Sequence, residues 1–280
     1  MHNQRYIVVI TGPTGVGKSA LADQLALESQ IPIEIINADM GQMYTPLSIG
    51  TAKPDLGAAP VPHHLFNILD EPSYYTVVQY RKAVQQLIEE IWQRNALPVI
   101  VGGSSFYIQS LFFPPLQEEG IPLCQAQEYP QESLWDVVYA IDPERAAAIN
   151  KNDTYRLQRA LAIWHTTGKK PSALKPIYNP MAPFIFIYVT RDRAELYARI
   201  NERVQEMLMH GWLQEVQPLL GTAWEAFIHK KKIIGYPDII DYYRSEQQDR
   251  DVLCDAIAQK TRHYAKRQEI FWRRLERMLH

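Results

Sequence analysis

Apolar residues follow two patterns along the chain. Residues 6–11 form a continuous run rich in β-branched side chains that stops at Gly12. Such a run reads as a strand buried on both faces, as in a parallel sheet. Residues 33–37 repeat the signal, and residues 98–101 repeat it again before Gly102-Gly103. Between these runs the spacing becomes helical. Leu21, Ala22, Leu25 and Ala26 mark a helix over residues 19–28, and Val84, Leu87, Ile88 and Ile91 mark an amphipathic helix over 78–94. Residues 45–78 hold several prolines and turn residues and read as loop. A further helix is expected after Gly103. The alternation predicts a right-handed βαβ array on a parallel sheet, an α/β core.

The character changes at Pro114-Pro115. Residues 114–132 carry prolines, glutamines and glutamates and read as a surface connection. Short helical patterns follow at 134–140, 143–149 and 154–166, with no strand signal among them. The pattern predicts a small all-helical lobe over residues 114–183, inserted into a core made of 1–113 and 184–280. A strand is expected at 184–190 and a long helix at 193–209, ending near Gly211. Another helix is expected over 249–278, with Ile257, Tyr264, Ile270 and Leu275 among its apolar positions. Trp92, Trp164 and Trp272 read as core or interface residues.

The turn after the first strand is Gly12-Pro13-Thr14-Gly15-Val16-Gly17-Lys18-Ser19, which fits G-x-x-x-x-G-K-[ST]. Glycines permit the backbone to aim successive N–H groups inward at phosphate oxygens. The helix that follows adds the positive end of its dipole. Lys18 can neutralise terminal phosphate charge, and Ser19 can give a hydroxyl oxygen to Mg²⁺. The motif follows a strand and opens a helix, which is the context that gives it meaning. By itself it leaves a nucleoside triphosphatase and a small-molecule kinase open. Asp39 falls just past the second strand, at the sheet edge where ligands bind; it reads equally as a turn-forming or capping aspartate.

Composition adds limits. The chain has 280 residues, 46% hydrophobic and 21% charged, which is ordinary globular usage. Its only cysteines, Cys124 and Cys254, offer neither a zinc knuckle nor a disulfide framework and fit a reducing cytosol. No stretch approaches a membrane span, and the first residues lack the pattern of a signal peptide, so a soluble, cytoplasmic protein is expected. The formal charge of −2 argues against a uniformly basic nucleic-acid coat.

Several separated blocks carry a resemblance. Gly12–Ser19 continues into Ala20-Leu21-Ala22. Residues 37–44 read Asn-Ala-Asp-Met-Gly-Gln-Met-Tyr, residues 49–54 read Ile-Gly-Thr-Ala-Lys-Pro, and Pro62-His63-His64-Leu65 follows. Residues 98–107 read Pro-Val-Ile-Val-Gly-Gly-Ser-Ser-Phe-Tyr. Asn152-Asp153 with residues 156–161, Arg199-Ile200, Arg203-Val204, Met207-Leu208, Gly211, Ile234-Gly235-Tyr236 and residues 261–268 complete the series. In this order, and over nearly the whole chain, the blocks resemble the tRNA dimethylallyltransferase (tRNA isopentenyltransferase) family, in its bacterial form without a C-terminal zinc finger. The chain departs from the family's usual pattern at Met40 (serine), at Ser104-Ser105 (Thr-Gly), at Thr45-Pro46 (arginine after Tyr44) and at Ala162 (glutamate).

The resemblance implies a P-loop that binds the diphosphate of dimethylallyl diphosphate through Gly12, Pro13, Thr14, Gly15, Val16, Gly17, Lys18 and Ser19. The dimethylallyl group would pass to the exocyclic N6 of the adenosine 3′ of the anticodon in tRNA. Asp39 carries over as general base, with Thr14 and Arg203 on the leaving diphosphate, and Ser19 on Mg²⁺. The base would be flipped into a pocket. The tRNA contacts would come from Asp39, Met40, Gly41, Gln42, Ser104, Tyr155, Arg156, Leu157, Gln158, Arg159, Lys266 and Arg267. The family precedent leans towards a monomer. On spacing alone Arg203 reads as a solvated ion-pair partner, Gln42 and Tyr44 as packing under a loop, and Lys266 and Arg267 as an exposed face. His63-His64 reads as packing or hydrogen bonding rather than a metal pair. A transferase acting on a free adenine nucleotide, a P-loop kinase and a weakened RNA-binding relative remain alternatives; the helical lobe and basic C-terminus argue against the free nucleotide.

Local charge supports an RNA partner. Residues 151–175 carry six bases and one acid, a net of +5. Residues 260–280 carry seven bases and two acids, again +5, whereas residues 116–150 sum to −6. The near-neutral total is thus a sum of opposed regions, and one RNA held along a limited basic surface is expected, with affinity that falls with salt.

Overall fold

The computed structural model describes residues 5–115, 130 and 133–279. The surface connection expected at 114–132, with Cys124 and four of the acids counted above, therefore lies almost wholly outside the described residues. The chain divides into two units, one of Met1–Phe112 with Pro180–His280 and one of Phe113–Asn179.

The larger unit is built on five strands: β1 (Ile7–Thr11), β2 (Ile33–Asn37), β3 (His63–His64), β4 (Leu97–Gly102) and β5 (Phe184–Tyr188). Their order is β3-β2-β4-β1-β5, and every pairing is parallel. Val9 of β1 pairs with Ile100 on one side and Phe186 on the other. All five residues of β1 and of β2 are buried, which is why both read as unbroken apolar runs. The fold class is α/β, as the alternation predicts, with helices α1 (Lys18–Glu28), α2 (Val77–Gln93) and α3 (Ser105–Phe112) between the strands or beside them. Thr76 opens α2 with a capping box to Gln79, fixing its first turn.

In the smaller unit lie α4 (Leu134–Ile141), α5 (Pro143–Ala147) and α6 (Thr154–Thr167). Leu134, Val138, Ala146, Ile149, Leu157, Ala160 and Leu161 form its core. Buried Asp142 ties it together, accepting the N–H of Arg145 at 3.0 Å and of Ser172 at 2.8 Å. These hydrogen bonds hold its carboxyl below the usual range despite burial.

After β5 the larger unit is helical: α7 (Arg193–Met209), α8 (Trp212–Val216), α9 (Ala223–Lys231), α10 (Tyr236–Arg244) and α11 (Arg250–Leu279). Asp192 caps α7 through the N–H groups of Ala194 and Glu195. Sequence pattern locates α7 and α11 but not α8, α9 or α10, which are short and separated by glycine and proline. A second core gathers Trp212, Leu213, Phe227, Ile228, Tyr236, Ile239, Ile240 and Ile257 around Tyr44 and Leu47. Trp212 is clasped by two glycines: a β-carbon at Gly50 or at Gly235 would lie 2.1 Å from its indole. No helix among the described residues is long and apolar enough to cross a membrane.

Candidate active site

The site forms where β1, β2 and β4 reach their carboxyl ends, the edge at which open α/β sheets bind ligands. Residues 12–17 turn from β1 into α1. Gly17 takes φ +106°, a left-handed conformation that favours glycine. Carbonyls of this loop are held from outside: Arg191 donates to Val16 O at 2.8 Å and Arg199 to Gly15 O at 3.2 Å. From α11, buried Gln268 accepts the N–H of Thr14 at 2.8 Å and donates to Gly103 O at 2.7 Å. Lys18 curls back over the loop, its Nζ donating to Gly12 O at 3.1 Å and Pro13 O at 2.9 Å.

Asp39 sits just past β2 and is fixed from three sides. Asn37 accepts the Asp39 N–H at 2.8 Å and donates to the Asp39 carbonyl at 2.9 Å and to Leu65 O at 3.0 Å. Asp39 Oδ1 accepts the Gly41 N–H at 3.0 Å. Ser104 accepts the N–H of Met40 at 2.9 Å, and its own N–H donates to Ala38 O at 3.0 Å. Among the described residues no donor bonds Asp39 Oδ2. This geometry is an anchored carboxylate with one oxygen open, not merely a capping turn.

Three charges share this space. Loss of water pushes the Asp39 carboxyl above its ordinary value, while Lys18, the Gly41 N–H and Arg203 restrain the rise. Burial lowers Lys18 to about 8, with Asp39 opposing the fall and Arg203 adding to it. Burial likewise lowers Arg203, against the pull of Asp39. Arg203 on α7 is thus part of the cluster rather than a solvated surface arginine.

Two cavities meet here. The first, about 450 Å³, opens between the P-loop and α7 and is lined by Lys18, Ser19, Gln42, His63 and Arg199. The second, about 320 Å³, is lined by Met40, Gly41, Ser104, Lys231, Tyr264 and Arg267. Thr14, Gly15, Asp39, Thr51, Ala52 and Arg203 line both.

Other residues fall elsewhere. Pro13 and Val16 are buried within the loop. Gln42 donates to Thr51 O at 3.0 Å and Ala52 O at 3.1 Å, which ties the turn after Asp39 to the loop that lines both cavities. Lys266 is exposed on α11, and Tyr44 is fully buried. Of the adjacent histidines, His63 bonds Val61 O through Nδ1 at 2.7 Å and His64 bonds Glu34 through Nε2 at 2.7 Å. In the smaller unit, Tyr155 is 64% exposed and Arg156 pairs with Asp153 at 2.8 Å. Gln158 and Arg159 are partly buried on α6. The Leu157 side chain is fully buried in that unit's core.

Gln268, Arg191, Arg199 and Glu215 support the site and are not evident as site residues from sequence. Glu215 on α8 accepts the N–H groups of Ser48 at 2.9 Å and Ile49 at 2.6 Å, and the Tyr236 hydroxyl at 2.6 Å. It thereby shapes the loop that ends in Thr51-Ala52.

Comparison with known proteins identifies the family. The IPP transferase family model matches residues 42–275. The tRNA dimethylallyltransferase of Pseudothermotoga lettingae is 36% identical over 275 residues, covering 96% of this chain and 87% of that protein. The tRNA dimethylallyltransferase of Lacticaseibacillus casei is 37% identical, covering 95% and 88%. Among solved structures, a eukaryotic dimethylallyltransferase acting on tRNA superposes with a TM-score of 0.80 at 28% identity, covering 95% of this chain and 69% of the other. The tRNA isopentenylpyrophosphate transferase of Bacillus halodurans gives 0.66 at 32% identity, covering 96% and 87%. A family match over residues 42–275, with relatives at 36% identity over 96% of the chain, means that the chain belongs to the IPP transferase family.

Proposed function

We propose that this protein transfers a dimethylallyl group from dimethylallyl diphosphate to N6 of the adenosine 3′ of the anticodon in tRNA and releases diphosphate. The observation that carries this reading is the position of Asp39, at the waist between the phosphate-cradling cavity and a second cavity that a flipped base can enter. The names of the relatives point the same way.

The P-loop N–H groups and Lys18 hold the diphosphate in the first cavity. Adenine N6 enters from the second and attacks the allylic carbon. A carbon–nitrogen bond forms as the carbon–oxygen bond to diphosphate breaks. N6 is a weak nucleophile because its lone pair is delocalised into the ring, so a carboxylate that takes its proton lowers the barrier. Asp39 Oδ2 is the open oxygen for that proton, and desolvation raises its basicity. Charge grows on the leaving diphosphate, where Lys18, Arg203 and the Thr14 hydroxyl stabilise it. The Ser19 hydroxyl lines the same cavity and takes no hydrogen bond among the described residues. A single hydroxyl beside diphosphate oxygens suits Mg²⁺, which takes few protein ligands and would neutralise leaving-group charge.

Tyr155, Arg156, Gln158 and Arg159 of the smaller unit, and Lys266 and Arg267 of α11, bind the tRNA, and the enzyme works as a cytoplasmic monomer. The test supplies labelled dimethylallyl diphosphate with unmodified tRNA, with AMP, or with no acceptor. Label in tRNA alone is expected; label only in AMP would sink the assignment.

A further inference from the structure

The second cavity holds a cation that the chemistry above does not use. Lys231, the last residue of α9, is half-buried and lines this cavity with Asp39, Met40, Tyr264 and Arg267. Its Nζ lies 3.3 Å from Met40 Sδ, 4.5 Å from the centre of the Tyr74 ring and 5.8 Å from that of Phe227. Among the described residues no carboxylate pairs with it. A thioether and two ring faces hold an ammonium in place but leave its charge unneutralised. A partly desolvated cation in that state gains most from an anion that completes its shell. Tyr74, whose ring lies beside the ammonium, is 50% exposed. Met40, whose sulfur holds the ammonium, directly follows Asp39 in the chain, and Lys231 and Asp39 line the same cavity.

We propose that Lys231 is the seat for a backbone phosphate flanking the acceptor nucleotide, positioning the base whose amine meets Asp39. This rests on the reading of the acceptor as RNA. Met40 and Tyr74 act as the cradle: they fix Nζ at the cavity rim without competing for the phosphate. Lys231 is a positioning residue and takes no part in bond making.

The experiment uses the full chain and synthetic anticodon stem-loops in which each of the two phosphates flanking the acceptor adenosine is replaced in turn by an uncharged methylphosphonate. With native protein, one of the two replacements should raise the KM for RNA about tenfold, as expected for a charge-assisted contact. Lys231→Met should show the same rise with unmodified RNA and no further rise with that replacement, with the KM for dimethylallyl diphosphate unchanged. The slope of log affinity against log salt should fall by about one. Lys231→Arg should restore most of the affinity. Losses that simply add in variant and modified RNA, at both positions, would overturn the seat while leaving transfer to RNA intact. A rise in donor KM without a change in RNA KM would overturn it as well. Native protein that transfers to no RNA would overturn the underlying reading, and the seat with it.

Discussion

The backbone N–H of Thr14, in the first turn after β1, donates to the side chain of Gln268, 254 residues further along, at 2.8 Å. The other end of the same amide donates to Gly103 O. One buried side chain therefore joins the loop after β1 to the loop after β4.

Replacing Gln268 with leucine strands a backbone N–H and a carbonyl at the site. Leaving a buried partner unmatched costs about 1–3 kcal/mol. The kcat/KM for transfer should drop roughly ten- to hundredfold by that arithmetic, mostly as a higher donor KM. Gln268→Glu keeps the acceptor for Thr14 but loses the donor to Gly103, so steady-state kinetics should place it between leucine and native protein.

The charge cluster predicts a bell-shaped dependence of kcat/KM on pH. Asp39 must be ionised, and its raised value moves the acid limb above the ordinary aspartate range. Lys18 must be protonated, and its value of about 8 sets the basic limb. Bound diphosphate favours the ammonium, so the basic limb of kcat should lie higher than that of kcat/KM. Asp39→Asn should lose about 10²- to 10⁴-fold in rate and abolish the acid limb. A variant that keeps full transfer would remove Asp39 from its role.

Away from the site, Glu34 on β2 accepts two hydrogen bonds from Arg94, at 2.7 and 2.8 Å, and one contact from His64. The Arg94 hydrogen bond holds its carboxyl below the usual range against the opposing effect of burial, with His64 adding to the fall. A depressed carboxylate contributes stability above its unfolded value and loses it as pH drops through the folded value. Arg94→Gln should lower Tm at neutral pH. It should also make the acid-induced loss begin at higher pH, because only His64 then opposes the effect of burial. Thermal melts from pH 3 to 8 check both effects.

Gly235 takes φ +85°, and a β-carbon there would meet Trp212. Gly235→Ala should cost about 1–3 kcal/mol through overpacking. Trp212 is 2% exposed, and Trp212→Ala should cost about 3–5 kcal/mol through the cavity it leaves. Denaturant midpoints measure both. Since Glu215 and Gly50 belong to the same region, both variants should also raise the donor KM.

Strands β1, β2 and β4 are legible in the sequence because each is a short apolar run buried on both faces, and the P-loop because its spacing is local. Asp39 is legible as a candidate from its place after β2, but its anchoring by Asn37 and Ser104 is not. Gln268 and Glu215 carry no local mark, since each acts on main-chain groups more than 160 residues away. Helices α8 to α10 are interrupted by Pro218, Gly221, Gly235 and Pro237, so no single period runs through them. β3 has two residues, and pairing with Ile35 and Ile36 alone makes it a strand. Leu157 stands in a block that resembles an RNA-contacting stretch, yet the three-and-four spacing of α6 turns it into the core.

β1 pairs with β4 on one side and β5 on the other, and the whole smaller unit is encoded between those two partners. On the ribosome, then, Ile7–Thr11 still has one flank unfilled after Leu97–Gly102 has been made, and keeps it open while residues 113–179 are made. The smaller unit, whose described contacts are local in the chain, can close on itself during that interval. The last partner of the P-loop, Gln268, arrives only when synthesis is nearly over. A truncated nascent chain thus carries the phosphate motif but not the machinery that gives it shape.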